Sequence, residues 1–311
     1  MWAQGRRDAR GTAALTTDDL IEILPVDLLR SDASTVADLR RLSRATNLGF
    51  GWHYVLDLVW VIKHARLKPG ERVLDAGAGL GILQWYLSER GFDVLSVDRT
   101  PRDAMPVRLR ARYNVRGYRS GDLLALGTAL RREIRGPASI RHRVGEPVRI
   151  LEALGRRLLR PARGTVAILN RDLGDLSELE DESFDAIVSV SSLEHNDPSD
   201  LERVVEQLMR VLRPGGRLVA TLGATGNEDW FHQPSQGWCY SEATLRRIFG
   251  LSADAPSNYD EYDRRLAEIR DCSDLYNNLA PAYFRSGNNG MPWGVWDPQY
   301  QPVGIVKVKS A

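Results

Sequence analysis

"VLDAGAGLG", Val73 to Gly81, is the stretch that decides how this chain is read. Three glycines, Gly77, Gly79 and Gly81, stand at alternate positions directly after a short apolar run. Glycine has no β-carbon, so it reaches positive φ and lets other atoms approach the backbone. "RVLDAG" predicts a buried strand. "LGILQWYLSER" predicts the helix after it, with Leu80, Leu83, Leu87 and Ile82, Tyr86 at helical spacing. A strand, a glycine turn and a helix, in that order, form a setting in which backbone meets a nucleotide.

The spacing narrows the ligand. A dinucleotide fingerprint needs a third glycine where Ile82 stands, and no G-K-[ST] closes the turn as a phosphate loop requires. What stands here is acid-x-G-x-G-x-G: Asp75, Gly77, Gly79, Gly81. A second acid, Asp98, ends the predicted strand "FDVLSVD", 21 residues after Gly77. A carboxylate at that strand end can accept both hydroxyls of a ribose. NAD and S-adenosylmethionine share that need, so Asp98 points to a nucleoside without choosing between them.

The 311 residues suffice for a sizeable core. The sequence shows no charged-then-apolar leader and no uncharged apolar run long enough to span a bilayer. Cys239 and Cys272 lie far apart, which suits a reducing cytoplasm and argues against a zinc cluster. Formal net charge is +1, but it is unevenly placed. Arg99 to Arg163 holds 17 arginines against five acids.

Residues 1–45 read as an N-terminal helical segment, with Leu20, Ile21 and Leu24 at helical spacing before Pro25. "GWHYVLDLVWVIKHARLKPGE" reads as a helix entering the first strand. After Asp98 the alternation of strand and helix is interrupted by a basic helical insertion, 99–163. It resumes with "TVAILNRDL", "SFDAIVSVSSLEH", the helix "DLERVVEQLMRVLRPGG" and the strand "RLVATL". "PVGIVKVK" alternates and reads as a closing strand. The pattern predicts an α/β protein with a doubly wound, mainly parallel sheet. Its core spans 46–222, and 223–311 forms a C-terminal acceptor-binding region.

Four landmarks now stand in order: the glycine turn, Asp98, "NRDL" with Asp172 and Leu173, and the "SFDAIVSVSSLEH" and "LRPGGRLVATL" strands. Together they resemble the class I S-adenosylmethionine-dependent methyltransferases, most closely the small-molecule and sugar enzymes called type 11. "NRD" departs from the commoner glycine–acid pair, and the insertion is atypical. The resemblance implies S-adenosylmethionine as cofactor in a Rossmann-like fold. It implies contacts from Asp75, Gly77, Ala78, Gly79 and Gly81, from Asp98 and Arg99, from Asp172 and Leu173, and from Ser191. Asp75 would help fix the methionine ammonium, Asp98 the ribose, and Asp172 with the Leu173 amide the adenine. Ser191, Ser192, Glu194 and His195 would face the reacting methyl.

Methyl transfer needs mainly positioning, and a hydroxyl acceptor gains from a base. His195 is the first candidate and His232 the second, while His53 is a candidate neighbour of the methionine carboxylate. Trp230, Trp238, Trp293, Trp296 and Tyr300 suggest an aromatic acceptor surface suited to sugars or planar rings, or else a cover for the sheet edge. In the insertion, Leu123, Leu126, Leu130 and Ile134 share one helical face, as do Val148, Leu151, Leu154 and Leu158. Basic amphipathic helices suit an anionic membrane surface, here through 121–160; packing on the protein's own core or on another subunit is the other reading. The reading is a cytoplasmic O-methyltransferase of a glycan, lipid-linked sugar or other small metabolite, with a peripheral membrane contact as one option. An RNA methyltransferase and a catalytically silent nucleoside-binding protein are the alternatives. The acceptor and the oligomeric state are not legible.

Overall fold

The computed structural model describes residues 18–135, 140–159, 161–278, 291 and 295–310. Trp293 therefore lies outside the described residues. The chain opens with β1 (Leu20–Ile23), then α1 (Leu28–Ser31), α2 (Ala33–Thr46) and α3 (Tyr54–Ala65). Next come β2 (Arg72–Ala76), α4 (Leu83–Glu89) and β3 (Asp93–Asp98). The insertion supplies α5 (Val107–Arg112), β4 (Asn114–Gly117), α6 (Leu126–Arg135) and α7 (Ile140–Leu159). The core continues with β5 (Thr165–Asn170), β6 (Phe184–Val190), α8 (Pro198–Val211) and β7 (Leu212–Ala224). The C-terminal part holds β8 (Trp230–His232), β9 (Gly237–Tyr240), α9 (Glu242–Ile248), α10 (Tyr262–Arg270), α11 (Ser273–Asn278) and β10 (Gln301–Val308).

The main path of the sheet runs β1-β10-β7-β6-β2-β3-β5-β4. Neighbours from β7 through β4 are parallel, while β10 runs antiparallel to both β7 and β1. The parallel strands are buried in continuous runs rather than alternately, as strands covered on both faces must be. Two hydrophobic clusters supply those covers, one per face. One contains α2, α3 and α4; the other contains α8 and α9. Helix α3 is buried nearly all round and lies across β6, β7 and β10. Trp60 packs so closely on Gly304 of β10 that a Cβ there would overlap its ring. Helix α8 starts sharply: Asp197 accepts from the Ser199 and Asp200 amides at 3.0 and 2.9 Å, and Pro198 sits at the first turn.

Four local expectations are corrected. Leu20–Ile23 is a strand, not a helix: Ile21 and Ile23 fill the core from the open edge of β10, and the helices begin after Pro25. The insertion is not wholly helical, because Asn114–Gly117 pairs in parallel with β5 and forms the far sheet edge. The "RPGG" segment does not precede the strand but is bulged into it, with register shifting between Phe184 and Ala186 of β6. The loop stretch around Trp230 and Trp238 is a β8–β9 hairpin whose second strand adds in parallel to β7.

Candidate functional site

The chain runs outward from β2 to β3 and beyond, then returns to place β6 on the other side of β2. Strand order reverses there, and a cleft must open at the carboxyl ends of those two strands. A cavity of about 350 Å³ lies at that point. Its size falls within the range of small-molecule sites.

One wall is the glycine turn. Gly77 and Gly79 adopt φ of +72 and +47, the left-handed region that favours glycine. A Cβ on Gly77 would overlap Ser192 Oγ across the cleft. The amides of Gly77 and Ala78 both donate to the Val97 carbonyl, at 2.9 and 3.1 Å, tying the turn to β3. Gly81 closes it by donating to the Ala78 carbonyl at 2.8 Å. All four residues line the cavity, as do Asp75, Asp98 and Arg99.

Asp98 is fixed by backbone donors. Its Oδ2 accepts the Gly79 amide and its Oδ1 the Thr100 amide, each at 2.7 Å. Each carboxylate oxygen keeps acceptor capacity for one hydroxyl of a vicinal pair. Asp75 is buried at the end of β2 and reaches the same cavity. Burial pushes its carboxyl up to about 7, with the charge of Arg102 pulling it down and that of Asp98 pushing it further up. A cation placed in the cavity beside Asp75 would restore its ionised form.

Beneath the turn lies a network that motif reading does not see. Buried Gln84 donates to the carbonyls of Gly79 and Gly81 at 3.2 and 3.0 Å and accepts from Ser96 Oγ at 2.8 Å. Buried Arg102 donates to the Gly79 carbonyl at 3.2 Å, to Ser96 Oγ at 2.5 Å, and to the Ser96 and Leu169 carbonyls. These two side chains hold the glycine turn against β3 and β5.

The opposite wall follows β6. Ser191 has φ of +47, an uncommon conformation for a side-chain-bearing residue and a place where strain is stored at functional sites. Its amide donates to the Thr221 carbonyl at 3.1 Å, and its Oγ donates to Glu194 at 2.5 Å. Glu194 is buried, which raises its carboxyl above the usual range against the pull of His195 and the Ser191 bond. It is not among the residues that line the cavity. His195 lines the cavity and is exposed to it. Its Nδ1 lies 2.8 Å from the Gln236 carbonyl. A carbonyl only accepts, so Nδ1 carries a proton, and in the neutral ring the lone pair falls on Nε2. Asp172 and Leu173 supply a third side of the cavity after β5. Asp172 accepts the Gly174 amide at 2.7 Å, which shapes that turn.

Other expected residues lie elsewhere. His232 does not line the cavity: it is buried, bonded through Nδ1 to Ser235 Oγ at 2.7 Å, and packed on Tyr300 and Trp230. Burial lowers its pKa, favouring the neutral ring. His53 is also withdrawn, with Nδ1 2.5 Å from Asp57 in the core. Its neighbours Phe50 and Tyr54 line the cavity instead. Of the aromatic group, Tyr300 is buried against Trp52 and His53, and Trp296 donates to the Arg270 carbonyl at 2.7 Å. Trp238 packs on Phe231, and only Trp230 of the described four stands exposed. Phe50, Tyr54 and Leu58 carry no motif signal, because they precede the glycine turn, on α3 and its entry. The glycines flanking Phe50, Gly49 and Gly51, were the available signal.

A family model described as a methyltransferase domain matches residues 149–220, from within α7 into β7. Among curated proteins no sequence relative matches. Solved structures with a similar outline include phosphoethanolamine N-methyltransferase 2 of Haemonchus contortus, in complex with phosphomonomethylethanolamine and S-adenosylhomocysteine. It is 15% identical with a TM-score of 0.46, over 92% of this chain and 60% of that one. The [4+2]-cyclase SpnF is 15% identical with a TM-score of 0.46, over 94% and 99% of the two chains. The YcgJ protein of Bacillus subtilis is 16% identical with a TM-score of 0.44, over 82% and 98%. Likeness this distant says nothing about the substrate. The methyltransferase-domain match spans β5, β6 and α8, the elements that follow the glycine turn and the paired acids at the sheet's switch point.

Proposed function

We propose that the protein methylates a hydroxyl of a glycan or other small metabolite, with His195 as the base. The observation that carries this reading is the 2.8 Å contact of His195 Nδ1 with the Gln236 carbonyl, on a residue that lines the cavity. With Nδ1 held by the carbonyl, the neutral ring would offer Nε2 as the acceptor on the wall opposite the glycine turn. The site fits the cofactor. The open turn at Gly77 and Gly79 would leave room for the methionine part, Asp75 would meet its ammonium, and Asp98 keeps acceptor sites for the ribose hydroxyls. Asp172 and Leu173 stand where the adenine would end. When bound, S-adenosylmethionine supplies a methyl on a sulfonium, which leaves as a neutral thioether.

The protein's part is then positioning and proton removal. His195 Nε2 takes the hydroxyl proton as the oxygen–carbon bond forms. The resulting imidazolium keeps its Nδ1–H on the Gln236 carbonyl. Ser191, held by Thr221 and Glu194, fixes the backbone from which His195 projects. Neither His232 nor His53 reaches the cavity, so neither competes for this role. Several arginines of the insertion are tied to carboxylates, among them Arg108–Glu146, Arg119–Asp122 and Arg132–Asp103. That pairing reduces the free charge an RNA backbone would need.

The test is His195→Ala with hydroxylated metabolites and glycans as acceptors and S-adenosylhomocysteine release as readout. Turnover should fall by about 10²–10⁴-fold while cofactor affinity stays nearly constant. Undiminished turnover would remove His195 from the chemistry.

A further inference from the structure

We propose that α6 and α7 form a face that docks on the surface of an anionic lipid bilayer. The proposal is independent of the methyl-transfer reading. Most of the large apolar side chains described on the two helices are exposed. Leu126, Leu130 and Ile134 on α6, with Val148, Leu151, Leu154, Leu158 and Leu159 on α7, are between 38% and 84% exposed. They are eight of the 13 exposed large hydrophobic residues among those described. Among the described residues of the two helices, those fully buried are small or polar. Ala129 and Ala153 are buried, and buried Glu146 pairs with Arg108 at 3.3 Å and Arg149 at 2.8 Å. A helix that serves only the core buries its leucines and exposes its charges. Here the leucine stripes are left to the outside, and a patch of this kind marks an interaction surface.

Charge selects the occupant. From Leu126 to Leu159 the sequence carries eight arginines and three glutamates. Two of those glutamates are engaged with the protein: Glu146 in its buried ion pairs and Glu133 with the Val107 amide at 3.1 Å. The exposed arginines Arg131, Arg156 and Arg157 flank the leucines. A second copy of this face would set arginine against arginine, a like-charge arrangement that disfavours association. Nucleic acid would meet the arginines but would leave the leucines in water. An anionic bilayer satisfies both, with phosphates at the arginines and the acyl boundary under the leucines. Among the described residues no helix is long and apolar enough to cross a membrane, so the contact is interfacial and reversible.

None of these side chains lines the cavity, so docking and cofactor binding are separable. The full chain is sedimented with vesicles of phosphatidylcholine alone and of phosphatidylcholine with phosphatidylglycerol. Binding should be at least about tenfold stronger on the anionic vesicles at low salt and should fall as salt rises. Leu151→Asp with Leu158→Asp should lower vesicle binding by about tenfold, leaving S-adenosylhomocysteine affinity and the circular dichroism spectrum unchanged. Arg131→Ser with Arg156→Ser should weaken binding to anionic vesicles without altering oligomeric state. Equal sedimentation with both vesicle types overturns the proposal. So does a wild-type oligomer that the leucine variant converts to monomer without vesicle binding, or retention by an RNA oligonucleotide in place of vesicles. Unfolding of the leucine variant also counts against it, since it would mean that those side chains are packed inside the protein.

Discussion

Asp75 carries the sharpest chemical consequence in the cavity. Its carboxyl has a folded value near 7 against an ordinary value of 3.8, because burial penalises the charge. A value raised by folding means that its share of stability is present in full below about pH 3.8. That share is lost as pH rises through about 7. An ammonium bound beside the carboxylate offsets this loss, so cofactor binding should take up the ionised form. S-adenosylhomocysteine affinity, measured by calorimetry, should therefore rise between about pH 5.5 and 7, by up to about tenfold per pH unit. Asp75→Asn should flatten that profile, and a profile of equal slope in the variant would place the titration elsewhere. Asp75, the glycines and Asp98 were legible from sequence because their signals are local, being spacing within a turn and an acid at a strand end. Gln84, Ser96 and Arg102 were not legible. They come from α4, the middle of β3 and the insertion, and only the folded sheet brings them under the turn. His232 shows the converse: a histidine among aromatics looked like a second base, and the β8–β9 hairpin buries it.

At the level of elements, the parallel strands and the helices between them were readable because burial on both faces leaves near-continuous apolar runs. Short edge elements were not. Leu20–Ile23 fits a helix or a strand over four residues, and only the open edge of β10 decides it. β4 is equally short and sits inside a basic, helix-rich segment, where its pairing with β5 is a purely tertiary choice. Helix α8 was unambiguous, since Leu201, Val204, Val205, Leu208 and Val211 form one buried stripe behind an Asp197 cap. That helix connects His195 of the cavity wall to β7, so its first turn also anchors the site. Asp197→Ala should lower the midpoint of denaturant unfolding, because two first-turn amides lose their cap. A change near zero would mean that the two capped amides find other partners.

For the whole molecule, strand order does the organising. The reversal between β2 and β6 creates one cleft, and residues separated by more than a hundred positions, Gly77 and Ser192, meet across it. The insertion adds β4 beyond β5, and its first residues, Arg99 and Arg102, line and brace the cleft. The account rests on that cleft holding S-adenosylmethionine, with Asp98 on its ribose. The direct measurement is calorimetric titration of the purified full chain, wild type and Asp98→Ala, with S-adenosylhomocysteine and with NAD. The account predicts saturable S-adenosylhomocysteine binding, weakened in the variant by about 1–3 kcal/mol, the scale of hydrogen bonds to a charged group, and no heat from NAD. NAD binding without S-adenosylhomocysteine binding, or equal S-adenosylhomocysteine affinity in the variant, would contradict it.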